Sequence, residues 1–177
     1  MEKALTELAD YTEGWRVRLA EACAGVTSEQ WARPITAGPA PVGHGSLRDT
    51  VVHVVLVEDD WQQVDIEGNR DLDLEPEYAP ERFADLESIL ARGAEVRARF
   101  RGWIPRWEEP VHLPDRDFTT TTGDILMHVL LHEVAHHGDL TTILSALDVP
   151  EWGYHFVRHR MTRAGKLEQG MRPGAPK

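Results

Sequence analysis

The sequence has little of three things: cysteine, positive charge and long apolar runs. Its 177 residues include a single cysteine, Cys23, so an intramolecular disulfide and a site built on paired thiolates are both excluded. A metal ion would therefore have to bind to nitrogen and oxygen. The formal net charge of -11 disfavours a broad nucleic-acid interface, because each phosphate contact needs a lysine or an arginine. Nor is there an uninterrupted apolar run of about 18 residues, the length typical of a membrane-spanning helix.

The amino-terminal stretch MEKALTELAD carries acids where a secretory signal would have a basic start and an apolar run. We therefore expect a cytoplasmic protein that binds neither nucleic acid nor membranes. From His155 onward six lysines and arginines accompany one acid, and we expect this basic tail to be a solvated helix and chain end. The length and the hydrophobic content of 41% predict one domain, residues 1–177, with a real core.

Four segments carry apolar residues at the steps of three and four that are typical of amphipathic helices. They cover residues 2–24, 46–66, 81–103 and about 122–147. Ser46 opens the second segment and, with Asp49 three residues later, resembles a capping box. Its β-branched run VVHVVLV alone would suggest a strand, but a segment of this length predicts a helix. Thr121 or Thr122 is the expected cap of the fourth segment.

The other segments are short or rich in proline and glycine. TSEQW predicts a helical turn that Pro34 ends, and TAGPAPVGHG (36–45) and NRDLDLEPEYAP (69–80) predict loops. WEEPVHLPDRDF (107–118) predicts either a small hairpin or an ordered loop, and a shorter helix is expected over 152–164. Together these segments predict an all-α protein, an antiparallel four-helix bundle with a short extra carboxyl-terminal helix.

The stretch HVLLHEVAHHGDL contains four histidines within ten positions of an otherwise apolar helix. His128, His132 and His136 lie four residues apart and therefore on one face, whereas His137 points elsewhere. The ends of this stripe are about 12 Å apart along the helix axis. Two nitrogens bound to one zinc ion are at most roughly 4 Å apart. Only neighbouring members of the stripe can therefore share an ion, and a further ligand has to come from another helix.

His53 is the candidate for that ligand, because it interrupts the apolar run VVHVVLV of the second helix. A buried imidazole without a partner costs roughly 1–3 kcal/mol. For any one of these histidines alone, a hydrogen bond to a carbonyl or a carboxylate is a sufficient explanation. A pair four residues apart on one helix and a lone buried histidine on another together favour a metal site, because bundle cores gather ligands from facing helices.

His132, Glu133 and His136 also match the H-E-x-x-H pattern of zinc proteases. Three fixed positions in a histidine-rich helix carry little information, the motif continuation that supplies a third histidine in such proteases is missing, and no clear strand is available to bind a peptide. We therefore disfavour a protease. Glu58 is expected either to orient a ligand ring or to form a solvated salt bridge, and His128 is expected to pack in the core rather than line the pocket.

The run HVLLHEVAHHGDLTTIL (128–144) resembles the last bundle helix of the DinB/YfiT-like superfamily, which has H-x3-H, then a glycine and a polar residue before an apolar tail. LRDTVVHVVLVEDDW (47–61) resembles that superfamily's second helix, with a histidine in its middle and then an acid and an aromatic residue about two turns later. The similarity covers the helix order of nearly the whole chain. It implies an up-down-down-up four-helix bundle, often dimeric, with three histidines binding zinc, nickel or a similar divalent ion.

Carried onto this sequence, the resemblance implies His53, His132 and His136 as the metal ligands. Many relatives have a histidine where this chain has Ala135 and an arginine where it has His137. His137 leaves open which member of the adjacent pair coordinates the ion, and the spacing from His132 favours His136.

The resemblance also implies a chemistry, since characterised relatives include transferases and isomerases that use low-molecular-weight thiols such as bacillithiol or mycothiol. We therefore expect a homodimeric, metal-dependent thiol transferase that acts on small electrophiles. Three neutral imidazoles leave a coordination position open, as in catalytic zinc sites. Two alternatives remain: a metal-dependent hydrolase that activates water, and a non-catalytic metal-binding stress protein.

Overall fold

Helices dominate the chain, as the apolar periodicity predicts. The computed structural model describes residues 1–150 and 154–166. The α-helices are α1 (Glu2–Ala22), α2 (Ser28–Ala32), α3 (Leu47–Asp60), α4 (Leu86–Trp103), α5 (Thr122–Ala146) and α6 (Phe156–Arg163). A π-helical turn, Trp61–Ile66, continues α3, and 3₁₀ turns form at Pro80–Arg82, Ile104–Arg106 and Pro114–Arg116. Two antiparallel strand pairs complete the fold: β1 (Thr36–Ala37) with β2 (Ala40–Pro41), and β3 (Pro110–Leu113) with β4 (Phe118–Thr121).

Three of the four long helices begin at a side chain that accepts a hydrogen bond from the first turn. Ser46 accepts from the amide of Asp49 at 3.0 Å, as the sequence predicts, and Asp85 caps α4 in the same way. Thr121, the cap of α5, forms a reciprocal capping box with Asp124. Because these bonds satisfy amides that have no partner within the helix, each typically stabilises the fold by about 1 kcal/mol.

Several boundaries differ from those predicted. α4 begins at Leu86 rather than at residue 81, because Pro80–Arg82 form a separate 3₁₀ turn and Asp85 adopts the extended backbone of a helix cap. The segment 107–118 contributes to a hairpin, β3 with β4, and the loop 36–45 contains the short pair β1 and β2. α6 begins at Phe156 within the described residues, and the predicted start at Trp152 lies outside them.

The four long helices share one core. α3 packs against α4 and α5, and α1 packs against the same two helices. The buried apolar residues that meet there include Trp15, Leu19, Val51, Val55, Ile89, Val96, Ile143 and Leu144. Each such side chain contributes about 1.5–3 kcal/mol when it leaves water, so this packing fixes α3 face to face with α5. The helix that carries His53 thereby lies against the helix that carries the histidine stripe.

The structure describes the basic tail only as far as residue 166, and in that part α6 is docked on α1 instead of being fully solvated. The ring of Tyr154 stacks on Tyr11 with centroids 5.8 Å apart, and the Tyr154 hydroxyl lies 2.7 Å from Nδ1 of His159. Arg160 forms an ion pair with Glu7 at 2.7 Å. Among the described residues, no helix has both the length and the apolar character needed to cross a membrane.

Candidate metal centre

The three histidines predicted as ligands lie together where α3 packs against α5. Nε2 of His132 is 3.2 Å from Nε2 of His53 and 3.2 Å from Nε2 of His136. Two nitrogens bound to one tetrahedral zinc ion at about 2.0–2.1 Å are separated by about 3.3 Å. Both separations are close to that value, so His132 lies at the right distance to share an ion with either neighbour.

A carboxylate fixes the orientation of one of the three rings. Nδ1 of His136 lies 2.9 Å from Oδ2 of Asp139, one turn further along α5. This contact favours the tautomer that carries its proton on Nδ1, so Nε2 presents a lone pair to the other two imidazoles. An arrangement of this kind is common around metal-bound histidines.

The rings of His53 and His132 are held in the neutral form. Burial, and after it the repulsion between neighbouring imidazoles, lowers the pKa of His53 to about 3 and that of His132 to about 4. The imidazoles contribute because two positive charges at this distance repel each other. Neutral imidazole is the form that binds metal ions, so both side chains are ready to coordinate at neutral pH.

A fourth histidine, His44, lies beside the three, although the sequence placed it only in a loop. Its ring stacks on that of His53, with centroids 3.6 Å apart and planes 23° apart. One nitrogen each of His44, His53 and His136 lie within 4.8 Å of one another, so these residues form a second combination able to approach one ion. Burial and the nearby His136 lower the pKa of His44.

His132 fits better than His44 as the partner of His53 in this arrangement. The lone pair of an imidazole nitrogen lies in the plane of the ring, so two rings stacked nearly parallel do not aim at the same point. The ring of His132 is tilted by 55° to that of His53 and by 71° to that of His136, and its Nε2 lies 3.2 Å from Nε2 of each. We therefore retain His53, His132 and His136 as the candidate ligands.

The glutamates Glu58 and Glu133, on the two histidine-bearing helices, face arginines of α1 and α4. Glu58 and Glu133 are 1% and 3% exposed and form a buried ion-pair cluster with Arg16 and Arg97. Arg16 reaches Glu133 at 2.7 Å and Glu58 at 2.6 Å, and Arg97 reaches the same two residues at 2.6 and 2.8 Å. The cluster contains two positive and two negative groups, contributed by α1, α3, α4 and α5.

The ion pairs with Arg16 and Arg97 determine the roles of both glutamates. Burial favours the protonated acid, but the charges of Arg16 and Arg97 hold the pKa of Glu133 well below its ordinary value. Glu133 is thus a paired structural carboxylate that cannot serve as the proton acceptor of an H-E-x-x-H protease. Glu58 forms salt bridges, as one of the two expectations had it, but they are buried rather than solvated, and the two arginines take up the carboxylate that could have oriented a histidine ring.

The two remaining histidines of α5 lie outside the cluster of candidate ligands. His128 is exposed and packs its ring at an angle against Trp61, so the expectation that it packs in the core is wrong. His137 is buried and stacks on Trp15 with centroids 3.9 Å apart. Its Nε2 lies 4.0 Å from Glu133, on the side of the arginines, so the structure brings His136 and not His137 to the other imidazoles.

Comparison with known proteins agrees with the helical fold. No curated protein matches the sequence. The sequence model of the DinB family matches residues 1–169, which is nearly the whole chain. On that match, the chain belongs to the DinB family.

Proposed function

We propose that the protein binds one divalent metal ion, zinc or nickel, through Nε2 of His53, His132 and His136. The observation that carries this proposal is the pair of 3.2 Å separations between Nε2 atoms contributed by two different helices. Membership of the DinB family supports it as well, since a divalent ion is typical of that family. The proposed scaffold is an up-down-down-up antiparallel bundle of α1, α3, α4 and α5 in a cytoplasmic homodimer.

We further propose that the metal centre is catalytic and serves a thiol transferase that acts on small electrophiles. The cosubstrate would be a low-molecular-weight thiol of the bacillithiol or mycothiol type. A divalent ion bound by three neutral imidazoles would supply Lewis acidity at an open position, which favours a thiolate over the weakly nucleophilic thiol.

The protein's own residues prepare the site for this chemistry. His53 and His132 are held as neutral donors, and the contact of Asp139 with Nδ1 of His136 directs Nε2 of that ring to the centre of the cluster. The buried cluster of Arg16, Arg97, Glu58 and Glu133 ties all four long helices together behind the ligands. It thereby limits movement of α3 against α5, which a site with fixed ligand spacing requires.

The test is thiol-dependent turnover by untagged, metal-loaded protein. An epoxide, a maleate ester and a chloroarene are each incubated with bacillithiol, mycothiol or no thiol, with His132→Ala as the control. We expect product only when the metal, a thiol and His132 are all present. Turnover that does not need a thiol would favour the hydrolase, and no turnover in any combination would contradict catalysis and leave a metal-binding protein.

A further inference from the structure

We propose that His44 is a fourth metal ligand, carried by a loop, that closes the metal centre when no substrate is bound. This inference rests on the proposed site of His53, His132 and His136. It assigns a metal-binding role to a residue outside the histidine pattern of α3 and α5.

The distance from His44 to the site is short enough for coordination. One of its nitrogens lies within 4.8 Å of a ring nitrogen of His53 and of a ring nitrogen of His136. Nitrogens that share a tetrahedral zinc ion are about 3.3 Å apart, so the longest of these separations has to shrink by no more than about 1.5 Å. A small side-chain rotation covers a distance of that size.

The loop backbone on both sides of His44 fixes the position of this residue beside His53. Gly43 and Gly45 flank it with φ angles of +54° and +96°, in the region that favours glycine. The amide of His44 donates to Oγ1 of Thr50 on α3 at 3.1 Å, and the amide of Ile35 donates to the carbonyl of Gly45 at 2.7 Å. The loop is therefore anchored on the helix that also carries His53, and only the side chain of His44 has to move.

The stacked ring represents an open form of the site. In that form the planes of His44 and His53 are 23° apart, so their lone pairs do not converge on one point. Rotation about the side-chain bonds of His44 would turn its nitrogen toward the ion. His44 is exposed, so this rotation displaces mainly solvent.

A removable fourth imidazole would give the site two states. With His44 bound, four nitrogens complete a tetrahedral site, which is the arrangement of a closed structural centre. With His44 turned away, three nitrogens hold the ion and one position is free for a ligand. Any molecule that binds to the metal then has to compete with His44.

The experiment compares His44→Ala with the matched variant His128→Ala. His128 is also exposed and also near the site, but its ring centroid is 6.4 Å from that of His132 and it belongs to a helix. Zinc affinity is measured by chelator competition, the number of bound imidazoles by X-ray absorption, and access to the free position by azide titration of cobalt-loaded protein. Thermal unfolding of the metal-free variants shows whether each variant is folded. His44→Gln is a second variant that lacks the imidazole but keeps a polar side chain.

We expect His44→Ala and His44→Gln to lose one imidazole, to bind zinc at least about tenfold more weakly and to bind azide more tightly than the parent. Loss of a residue that only supports a ligand already costs about 10–100-fold in metal affinity, so loss of a direct ligand should cost no less. His128→Ala should match the parent in all three measurements. If the parent and His44→Ala hold one ion with the same imidazole number and azide affinity, the inference is overturned while the metal centre stands. A parent protein that holds no metal overturns both.

Discussion

Glu133 illustrates at the scale of one residue how the core holds a charge next to the proposed ligands. Its carboxylate is buried between Arg16 and Arg97, so Glu133→Gln leaves two guanidiniums facing the single carboxylate of Glu58. Removing one partner of a buried ion pair typically costs about 3–5 kcal/mol. We expect Glu133→Gln to lower the free energy of unfolding by roughly 3 kcal/mol, measured by denaturant titration.

A surface ion pair provides the control for this change. Arg106 and Glu109 lie 2.6 Å apart with about half of each side chain exposed, so solvent already satisfies both charges. Glu109→Gln should leave the free energy of unfolding almost unchanged. Equal effects of the two substitutions would contradict the structural role of the buried cluster.

The lowered pKa values of His53 and His132 predict how the stability of the metal-free protein depends on pH. In the unfolded chain a histidine has a pKa of about 6.5, whereas burial and the neighbouring imidazoles lower the folded values to about 3 and about 4. Below about pH 6.5 the unfolded chain therefore binds more protons than the folded chain, and the free energy of unfolding decreases as the pH falls toward 4.

Denaturant unfolding of metal-free protein between about pH 4.5 and 7.5 measures this dependence. His53→Ala should make it shallower, because one of the two half-buried imidazoles with a lowered pKa is gone. His112→Ala, which changes an exposed histidine of the hairpin, should keep the slope of the parent. A metal-free parent that is equally stable at both ends of the range would show that these rings are not held neutral by burial.

Sequence patterns identified some residues in and around the histidine cluster and not others, for physical reasons. His132 and His136 lie one helical turn apart, and His53 is a polar residue inside an apolar run, so helical periodicity alone indicated that they share a region. The proximity of His44 depends on two glycines with positive φ and on a loop that folds back onto α3, and neither has a periodic signal. The partners of Glu58 were equally hidden, because Arg16 and Arg97 come from two other helices.

At the scale of elements, the turn before α3 depends on Gly43. Its φ is +54°, and a β carbon there would lie 2.8 Å from Oγ1 of Thr50 and 3.1 Å from Cβ of Asp139. Left-handed backbone costs an L residue roughly 1–2 kcal/mol, and the close contacts add to this cost. We expect Gly43→Ala to lower the free energy of unfolding by at least about 1 kcal/mol in a denaturant titration.

Gly102 is the matched control for that substitution. It lies in α4, and a β carbon added there has no heavy atom within 4 Å. Because alanine favours helix by up to about 1 kcal/mol over glycine, Gly102→Ala should be neutral or stabilising. If Gly43→Ala proved as stable as Gly102→Ala, the turn would not need its left-handed glycine.

Helix existence was easier to predict than helix ends. The segment 46–66 was identified from its length and its Ser46 cap, and the structure confirms it as α3 followed by a π-helical turn. The predicted start of α4 was wrong. The apolar periodicity already includes residue 83, but Pro80–Arg82 form a separate 3₁₀ turn and Asp85 caps the helix. Periodicity reports which face is apolar, and caps and prolines determine where a helix begins.

At the scale of the whole molecule, the proposed ligands join helices that are far apart in sequence. His53 belongs to α3 and His132 to α5, so an ion bound by both would cross-link two sides of the core. A ligand that binds only the folded state stabilises it by about 2.7 kcal/mol at a free concentration 100 times its Kd. We expect zinc to raise the midpoint of thermal unfolding of the parent.

His132→Ala should remove that rise, since the remaining pair, His53 and His136, has lost the imidazole that lies 3.2 Å from each of them. His128→Ala should retain it. An equal rise in the parent and in His132→Ala would indicate that zinc binds elsewhere on the protein.

The central claim is that imidazoles from two helices hold one divalent ion, and the metal content of untagged protein tests it most directly. Parent protein and His53→Ala are loaded with zinc or nickel in parallel, freed of loosely bound ions and analysed by elemental mass spectrometry. We predict one equivalent of metal per chain in the parent and a large loss in His53→Ala. A parent without metal, or a His53→Ala variant that still holds a full equivalent, would contradict the account.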